Sequence, residues 1–355
     1  YGGTDKYKSS TSEATGFTVD PMPTRVTLSN PVMGSVYGTI TTFVAEVKTD
    51  LPDMLMRMDP IVPTGVVTFT SGSEVLGTAT LDTYGRAAFS TNTLPGGTHS
   101  ITAAYGGDPN CQSSTSGALT YQVWKSDTKT SLYGAPATTT YGEPVTLIAS
   151  VRGITTVGPL ALTDMPAVPS GQVVFAIGED DLGSASLDEN GVARLVVYTL
   201  AAGSHEVVAR FEGDDNYASS DSLEHTQFVG PTAATFNIET PQQPSASYVG
   251  GSATFTVTIS RPELPAARLA GFAPSLAPAT GTVKLSEGDE LLGSLTLVDG
   301  SAVFVIDGFT RGTHTLTIEY EGDTNYLQGI SDPLTHIVFE RFFVPLVTLN
   351  WGATD

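Results

Sequence analysis

The sequence has a single cysteine and few positive charges. With only Cys111 among 355 residues, the chain forms no internal disulfide and no zinc site built on cysteines. It carries 16 Lys and Arg against 37 Asp and Glu, a formal net charge of −21. Because nucleic-acid binding needs cations that neutralise phosphates, this balance argues against a nucleic-acid partner. No run of 18 apolar residues occurs, so no membrane insertion is expected.

Sequence patterns of common catalytic sites are also missing. The chain contains no Gly-x-Ser-x-Gly, no His-Glu-x-x-His and no Walker loop. Acidic residues are plentiful, and counting them does not exclude a glycosidase. That chemistry, however, needs two carboxylates in different environments within one cleft, and no spacing indicates such a pair. We therefore expect no enzyme activity, no catalytic residues, no cofactor and no bound metal.

What the sequence does contain is an internal repeat. Its first landmark is a segment that begins and ends on glycine, at Gly65–Gly77, Gly171–Gly183 and Gly281–Gly293. The same period of 106 to 110 residues recurs in a Gly-x-His motif and in a Gly-Asp pair further along. Several landmarks with one period are the signature of homologous structural units. The predicted domains are three repeats, at residues 25–124, 128–230 and 233–339.

Both ends of the chain resemble parts of further repeats. Residues 1–20 match the last strand of a preceding repeat, since Tyr1-Gly2-Gly3 corresponds to residues 105–107. Residues 340–355 are interpreted as a linker and the first strand of a following repeat, because Val347–Asn350 resembles Val26–Ser29. This predicts a window on a longer array. In the alternative interpretation, the end segments are exchanged strands that complete a neighbouring subunit.

Each repeat shows the alternation of short, half-buried strands. The apolar residues Phe43, Ala45 and Val47 alternate with Thr42, Val44 and Glu46. The same alternation recurs in the other repeats. No long stretch has the 3.6-residue period of an amphipathic helix. About seven strands in about 100 residues are typical of an immunoglobulin-like β-sandwich. The fold class is therefore predicted to be all-β, with tandem sandwiches in a rod-like array because the linkers are short.

The repeat resembles the bacterial Ig-like repeat family of large secreted and surface proteins. The resemblance lies in Gly-x-Val-x-Phe, Leu-Gly, Gly-x-His and Tyr-x-Gly-Asp-x-Asn-Tyr, the last well kept in Glu212–Tyr217 and Glu321–Tyr326. Repeat 1 departs from it at Pro109 and Cys111. The resemblance implies an extracellular or cell-surface location. It also implies a non-enzymatic structural role, as a stalk, adhesin shaft or filament on a bacterial surface.

Each repeat carries a long apolar, Pro-rich segment between its second and third strands. Loops beyond about 12–15 residues are uncommon and often functional. Either the segment folds back over its own sandwich, or it packs on neighbouring repeats or copies of the chain; a surface glycan or protein is an alternative partner, as for an adhesin module. Together with the apolar C-terminal segment, these inserts supply the candidate interface residues Met54, Leu55, Met56, Met58, Leu160, Leu162, Met165, Leu269, Phe272, Leu276, Phe342, Phe343 and Trp351.

Several polar and aromatic residues recur at fixed positions. The aspartates of the Gly-Asp pairs, Asp108, Asp214 and Asp323, are expected to form Asx turns, with calcium binding as the alternative. The histidines of the Gly-x-His motifs are expected to be structural residues at the sandwich end. Trp124 falls at a repeat boundary, where packing between domains is favoured over sugar stacking. Cys111 is interpreted as a small, partly buried hydrophobe.

Overall fold

The computed structural model describes residues 1–16, 18–50, 61–154, 167–241, 245–262 and 276–341. In these ranges the regular secondary structure is β-strand, numbered β1 to β27 along the chain. Among the same residues, none forms a helix with the length and hydropathy needed to cross a membrane. The all-β fold class predicted from the sequence is confirmed. Below, the three repeats are called modules 1, 2 and 3.

Module 1 has one three-stranded and one six-stranded sheet. The first has the order β1-β3-β6, and the second has the order β2-β9-β7-β4-β5 with β8 paired to β7. The strand β2 runs parallel to β9, whereas the other pairs are antiparallel. The strands are β1 Thr24–Ser29, β2 Gly34–Val36, β3 Thr41–Thr49, β4 Val66–Ser71, β5 Glu74–Thr80, β6 Arg86–Thr91, β7 Gly97–Tyr105, β8 Ser114–Thr115 and β9 Leu119–Trp124.

Module 2 repeats this topology. Its sheets have the orders β10-β12-β15 and β11-β18-β16-β13-β14, with β17 paired to β16. The strands are β10 Asp127–Ala135, β11 Thr138–Thr140, β12 Val145–Ile154, β13 Gln172–Ile177, β14 Asp180–Ser186, β15 Val192–Val197, β16 Gly203–Phe211, β17 Ser220–Asp221 and β18 His225–Gly230.

Module 3 has the same two sheets, β19-β21-β24 and β20-β27-β25-β22-β23, with β26 paired to β25. Its strands are β19 Thr235–Glu239, β20 Ala246–Tyr248, β21 Ala253–Ser260, β22 Thr282–Glu287, β23 Glu290–Thr296, β24 Ser301–Ile306, β25 Gly312–Tyr320, β26 Gly329–Ile330 and β27 Leu334–Phe339. In the described part of each module there are nine strands, more than the predicted seven or so, because two of the nine are short strands of only two or three residues.

The core of module 1 follows from the two-residue period of its strands. The inward residues of β3 are buried and its outward residues are not. Phe43 of one sheet meets Tyr121 of the other edge to face, with ring centroids 5.0 Å apart. The Tyr121 hydroxyl lies 2.7 Å from Oγ1 of the buried Thr41, which satisfies a polar group inside the core. Alternation along each strand thus supplies two apolar faces that pack as a sandwich.

Internal contacts divide the chain into two compact units. The first comprises residues 1–129, 152–170 and 213–220, and the second comprises residues 130–151, 171–212 and 221–355. Segment 213–220 belongs in sequence to module 2, yet it groups with module 1. The segment therefore makes close contacts with the module that precedes it.

The three histidines of the Gly-x-His motif have a common structural role. Nε2 of His99, His205 and His314 lies 2.8, 2.6 and 2.8 Å from the backbone carbonyl oxygen four residues earlier. This contact fixes the loop that leads into β7, β16 or β25. The three histidines are therefore structural residues at the ends of the modules, as expected from the sequence. Cys111 is also buried, at 1% exposure, as expected of a small hydrophobe.

His314 differs from the other two in its second partner. Its Nδ1 lies 3.0 Å from both carboxylate oxygens of Glu287. The pKa of His314 is raised above its ordinary value, first by the carbonyl of Thr310 that accepts from Nε2 and then by Glu287. The pKa of the neighbouring His336 is lowered, by burial and by the charge of His314. Module 3 therefore contains a histidine whose charged form the fold favours.

The substitution Glu287→Gln should destabilise module 3 more at about pH 6 than at about pH 9. Since the folded-state pKa of His314 is raised, the ion pair contributes fully below the unfolded-state pKa and is lost as pH rises through the folded-state pKa. The expected loss near pH 6 is on the order of 1 kcal/mol in the free energy of unfolding. Urea unfolding followed at both pH values measures it.

The control is Glu290→Gln, which removes an exposed carboxylate from the same hairpin. His336 titrates in wild type and in both variants, so its opposite contribution largely cancels in the comparison. An equal loss of stability at both pH values would show that Glu287 does not act through the charge of His314.

Candidate functional site

The Gly-Asp pair of each module begins a tightly bonded turn. Oδ1 of Asp214 accepts hydrogen bonds from the backbone N–H groups of Asn216 and Tyr217, each at 2.8 Å. Its Oδ2 accepts from the N–H and hydroxyl of Ser170, at 2.8 and 3.0 Å. Asp323 accepts from the equivalent donors of Asn325, Tyr326 and Thr280. The Asx turn expected from the sequence is present.

The glycine before each aspartate is required by the turn. Gly213 and Gly322 have φ of +87° and +84°, in the left-handed region that favours glycine. A Cβ added to Gly213 would lie 2.8 Å from the carbonyl oxygen of Tyr217, too close for any side chain. The repeated Gly-Asp sequence therefore serves one backbone geometry.

These hydrogen bonds account for the electrostatics of the turn. The pKa of Asp108 lies well below its ordinary value, mainly because the N–H of Thr64 donates to the carboxylate. Burial would raise the pKa of Asp323, but the donors on Thr280, Tyr326 and Asn325 outweigh it and lower the value. In the described part of the chain, no group of three or more His, Cys, Asp or Glu side chains could hold a metal ion. The hydrogen bonds at these aspartates are those of an Asx turn, and calcium binding stays an alternative prediction.

The turn presents an asparagine to the preceding module. Oδ1 of Asn216 in module 2 accepts a hydrogen bond from the N–H of Gly96 in module 1, at 2.9 Å. Oδ1 of Asn325 in module 3 accepts from the N–H of Ala202 in module 2, also at 2.9 Å. Because the Asx turn fixes the asparagine backbone, the same hydrogen bond forms at both boundaries.

A pair of tyrosines lies beside each of these hydrogen bonds. Tyr37 and Tyr217 meet edge to face with ring centroids 5.4 Å apart, and Tyr141 and Tyr326 do so at 5.6 Å. All four tyrosines are buried. Burial is also the first cause of the raised pKa of Tyr37 and Tyr141. We call the contacts of Tyr37, Gly96, Asn216 and Tyr217 joint 1, and those of Tyr141, Ala202, Asn325 and Tyr326 joint 2.

The linkers are bonded to the same turns. The N–H of Ser126 donates to the carbonyl of Asn216 at 2.9 Å, and the carbonyl of Ser126 accepts from Ala218 at 2.9 Å. Thr232 makes the equivalent pair of bonds with Asn325 and Leu327. Each linker is thereby bound to the turn that carries the joint asparagine, which leaves little free chain between modules.

One candidate interface residue predicted from the sequence lies next to joint 2. Leu276 is half-buried, and a Cβ added to Gly142 would lie 2.8 Å from its Cδ1. The adjacent Ala277 carbonyl accepts a hydrogen bond from the Tyr141 hydroxyl at 3.2 Å. The other candidates lie outside the described residues, namely Met54, Leu55, Met56, Met58, Leu160, Leu162, Met165, Leu269, Phe272, Phe342, Phe343 and Trp351.

The residues that form the joints were not singled out from the sequence. A signal was present, because Tyr37-Gly38 and Tyr141-Gly142 lie at the repeat period and Asn216 belongs to the Gly-Asp-x-Asn-Tyr motif. Trp124 is placed differently from its prediction. It is 54% exposed and its ring lies on Gly34 of its own module, rather than buried between domains.

The chain is similar in fold to several solved multidomain β-proteins. Fibronectin(III)-like modules of Clostridium thermocellum CbhA match with 18% identity and a TM-score of 0.23, over 58% of this chain and 93% of that one. The adhesin InvE of Yersinia pseudotuberculosis matches with 13% identity and a TM-score of 0.34, over 81% and 74%. Three N-terminal domains of the bacteriophage RB49 Hoc protein match with 13% identity and a TM-score of 0.25, over 90% and 100%. At these identities the likeness concerns fold alone.

A family assignment comes from the sequence itself. No curated protein matches the chain. The pattern of the bacterial Ig-like domain (group 3) matches three successive segments, at residues 27–124, 132–230 and 240–338. These segments cover far more than half of the chain and coincide with the three repeated sandwiches. The chain therefore belongs to the bacterial Ig-like domain family, group 3, and contains three tandem copies of that domain.

Proposed function

We propose that this chain is a non-enzymatic structural protein whose tandem Ig-like modules form an extracellular stalk, adhesin shaft or filament on a bacterial surface. One observation carries the proposal: joints 1 and 2 are built from the same contacts. A spacer needs contacts that link each module to the next, and the same set of contacts recurs at both boundaries. Membership of the Ig-like family supports the structural role.

The contacts of each joint are expected to contribute a modest free energy. The Asn216 hydrogen bond contributes about 1 kcal/mol, and an edge-to-face tyrosine pair contributes about 1 kcal/mol beyond its buried area. Together, about 2 kcal/mol would keep roughly 30 closed joints for each open one. Such a joint stays closed at rest, yet it opens without unfolding either module.

Composition supports an extracellular surface role. A net charge of −21 opposes non-specific self-association and contact with anionic surfaces. With one buried cysteine, the fold does not depend on disulfide formation. A stalk exposed to a changing environment benefits from both properties.

The alternative function, binding of a glycan or protein through the long segments between strands β3 and β4 and their equivalents, rests almost entirely on residues outside the described ranges. Leu276, which is described, lies against Gly142 of the preceding module. That contact favours a role for the segment of module 3 in joint 2, and we therefore retain the structural role.

The substitution Asn216→Ala should loosen joint 1. Loss of about 1 kcal/mol lowers the ratio of closed to open joints about fivefold. Nitroxide labels on cysteines placed at the exposed positions Ser73 and Glu179, in a Cys111→Ala background, report this as a broader distance distribution in pulsed electron paramagnetic resonance.

The matched control is Asn110→Ala, which changes the equivalent, exposed asparagine of module 1. It should leave the distribution between the two labels unchanged. If Asn216→Ala and Asn110→Ala give the same narrow distribution as the labelled parent, the Asn216 hydrogen bond does not hold the joint.

Two substitutions at Tyr141 separate the parts of joint 2. Tyr141→Phe removes the hydrogen bond to Ala277 and keeps the ring pair with Tyr326, whereas Tyr141→Ala removes both. We expect Tyr141→Ala to reduce the free energy that couples modules 2 and 3 by about 1 kcal/mol more than Tyr141→Phe does. Calorimetric unfolding of the whole chain measures the coupling, and equal effects of the two variants would contradict a role for ring packing.

A further inference from the structure

Among the described residues of module 1, the side chains that point outward from the six-stranded sheet include no charged group. Its outward residues on β4, β5, β7 and β9 are Thr, Ser, Gln, Val, Ala and one Trp. Oγ1 of Thr70 lies 2.7 Å from Oγ1 of Thr102 on the neighbouring strand. The Thr98 hydroxyl donates to Oε1 of Gln122 at 2.7 Å. We call this surface the hydroxyl face.

The equivalent faces of modules 2 and 3 are charged. On module 2, Glu206 and Arg210 point outward from β16. On module 3, Lys284 and Glu319 are register partners on β22 and β25. Three modules with one topology thus present different outer faces. A threonine-rich strand surface alone reflects β-propensity. In a chain with net charge −21, however, the lack of charged outward side chains on this one sheet of module 1 marks the face as distinct.

An exposed tryptophan lies at the end of the hydroxyl face. Trp124 follows Gln122 by two residues on β9, so both point to the same side of the sheet. A Cβ added to Gly34 would lie 2.7 Å from Cη2 and Cζ3 of Trp124, so the indole ring lies directly on the Gly34 backbone. Part of the ring thus lies against the sheet edge, and the side chain remains 54% exposed.

This platform is specific to module 1. The residues equivalent to Trp124 are Gly230 and Phe339, and those equivalent to Gly34 are Thr138 and Ala246. Only in module 1 does a glycine leave room for an aromatic ring to lie over the edge strand. The combination of a glycine on the edge strand with a tryptophan on the neighbouring strand therefore occurs at these equivalent positions in module 1 and not in modules 2 and 3.

We propose that the hydroxyl face binds an uncharged polysaccharide, with one sugar ring stacked on Trp124. A pyranose ring has an apolar C–H face, which packs on an indole, and hydroxyl groups at its rim. Threonine, serine and glutamine side chains both donate and accept hydrogen bonds, so they match those hydroxyls without requiring a charge. The proposal goes beyond the structural role, since it assigns a ligand class to one module.

Charge and composition favour a neutral glycan over other partners. The net charge of −21 repels an acidic polysaccharide. A cationic partner would find no carboxylate on this face. Protein interfaces centre on apolar and aromatic residues, whereas here the single aromatic residue lies at the margin and the centre consists of hydroxyl groups. Because Thr98 holds Gln122 in place, the polar groups are also pre-oriented, which reduces the entropy lost on binding.

Electrophoresis of the whole chain in native gels that contain a soluble polysaccharide tests the proposal. The probes are hydroxyethyl cellulose, galactomannan, xyloglucan and dextran, with alginate as the acidic comparison. We expect the protein to migrate more slowly in at least one of the gels that contain a neutral polysaccharide. Alginate should not slow its migration. Trp124→Ala should weaken the retardation about tenfold, because it removes the ring on which the sugar is proposed to stack.

Two further variants keep the result interpretable. Gly34→Val places a side chain where the indole lies and should reduce binding while Trp124 is still present. Phe228→Ala removes a half-exposed aromatic residue from the equivalent face of module 2 and should bind as the parent does.

In a Trp351→Phe chain, Trp124 is the sole tryptophan, so its emission should shift when the retarding polysaccharide is added.

Unchanged migration in every neutral gel, with no change in Trp124 emission, would overturn the proposal. Retardation that survives both Trp124→Ala and Gly34→Val would also overturn it, because binding would then lie elsewhere. Circular dichroism of each variant confirms that the sheets are intact. Neither result depends on the stalk proposal, which is tested at the joints.

Discussion

The carboxylate of the Gly-Asp turn is the interaction on which the arrangement of modules depends. In modules 2 and 3, Asp214 and Asp323 each accept four hydrogen bonds. Two come from the turn that follows, and two come from the residue two positions before strand β13 or β22. A carboxylate saturated in this way fixes the backbone of Asn216 or Asn325, whose side chain then reaches the preceding module. The local turn geometry therefore places the side chain that makes the contact between domains.

The joints also explain why the two compact units do not coincide with the modules. Segment 213–220 carries the turn, the asparagine and a buried tyrosine, and all of them contact module 1 or its linker. When the chain is divided by its internal contacts, the boundary between the two units falls within module 2. When it is divided by sequence similarity, the boundaries fall between the repeats.

Module 1 differs from the other two modules both in its core and on its outer surface. Cys111 replaces the joint tyrosine and is buried as a small hydrophobe, so the sequence motif changes while the turn at Asp108 is kept. The hydroxyl face and the pair of Trp124 with Gly34 are instead changes on the outer surface, where the fold imposes no requirement. Substitutions that keep the core and alter one exposed face are those most open to a binding function, because packing does not explain them.

Much of this protein was evident from the sequence alone. The repeat period, the alternation seen in Phe43 and Val47, and the Gly-Asp motif determined an all-β chain of tandem Ig-like sandwiches, because local periodicity and turn chemistry act over a few residues. The partners of Asn216 and Tyr37 were decided only by tertiary structure, since Asn216 and Gly96 are 120 residues apart and no local pattern relates them. The same holds for Trp124, whose exposure depends on Gly34 in a strand that pairs with its own from a distant part of the chain.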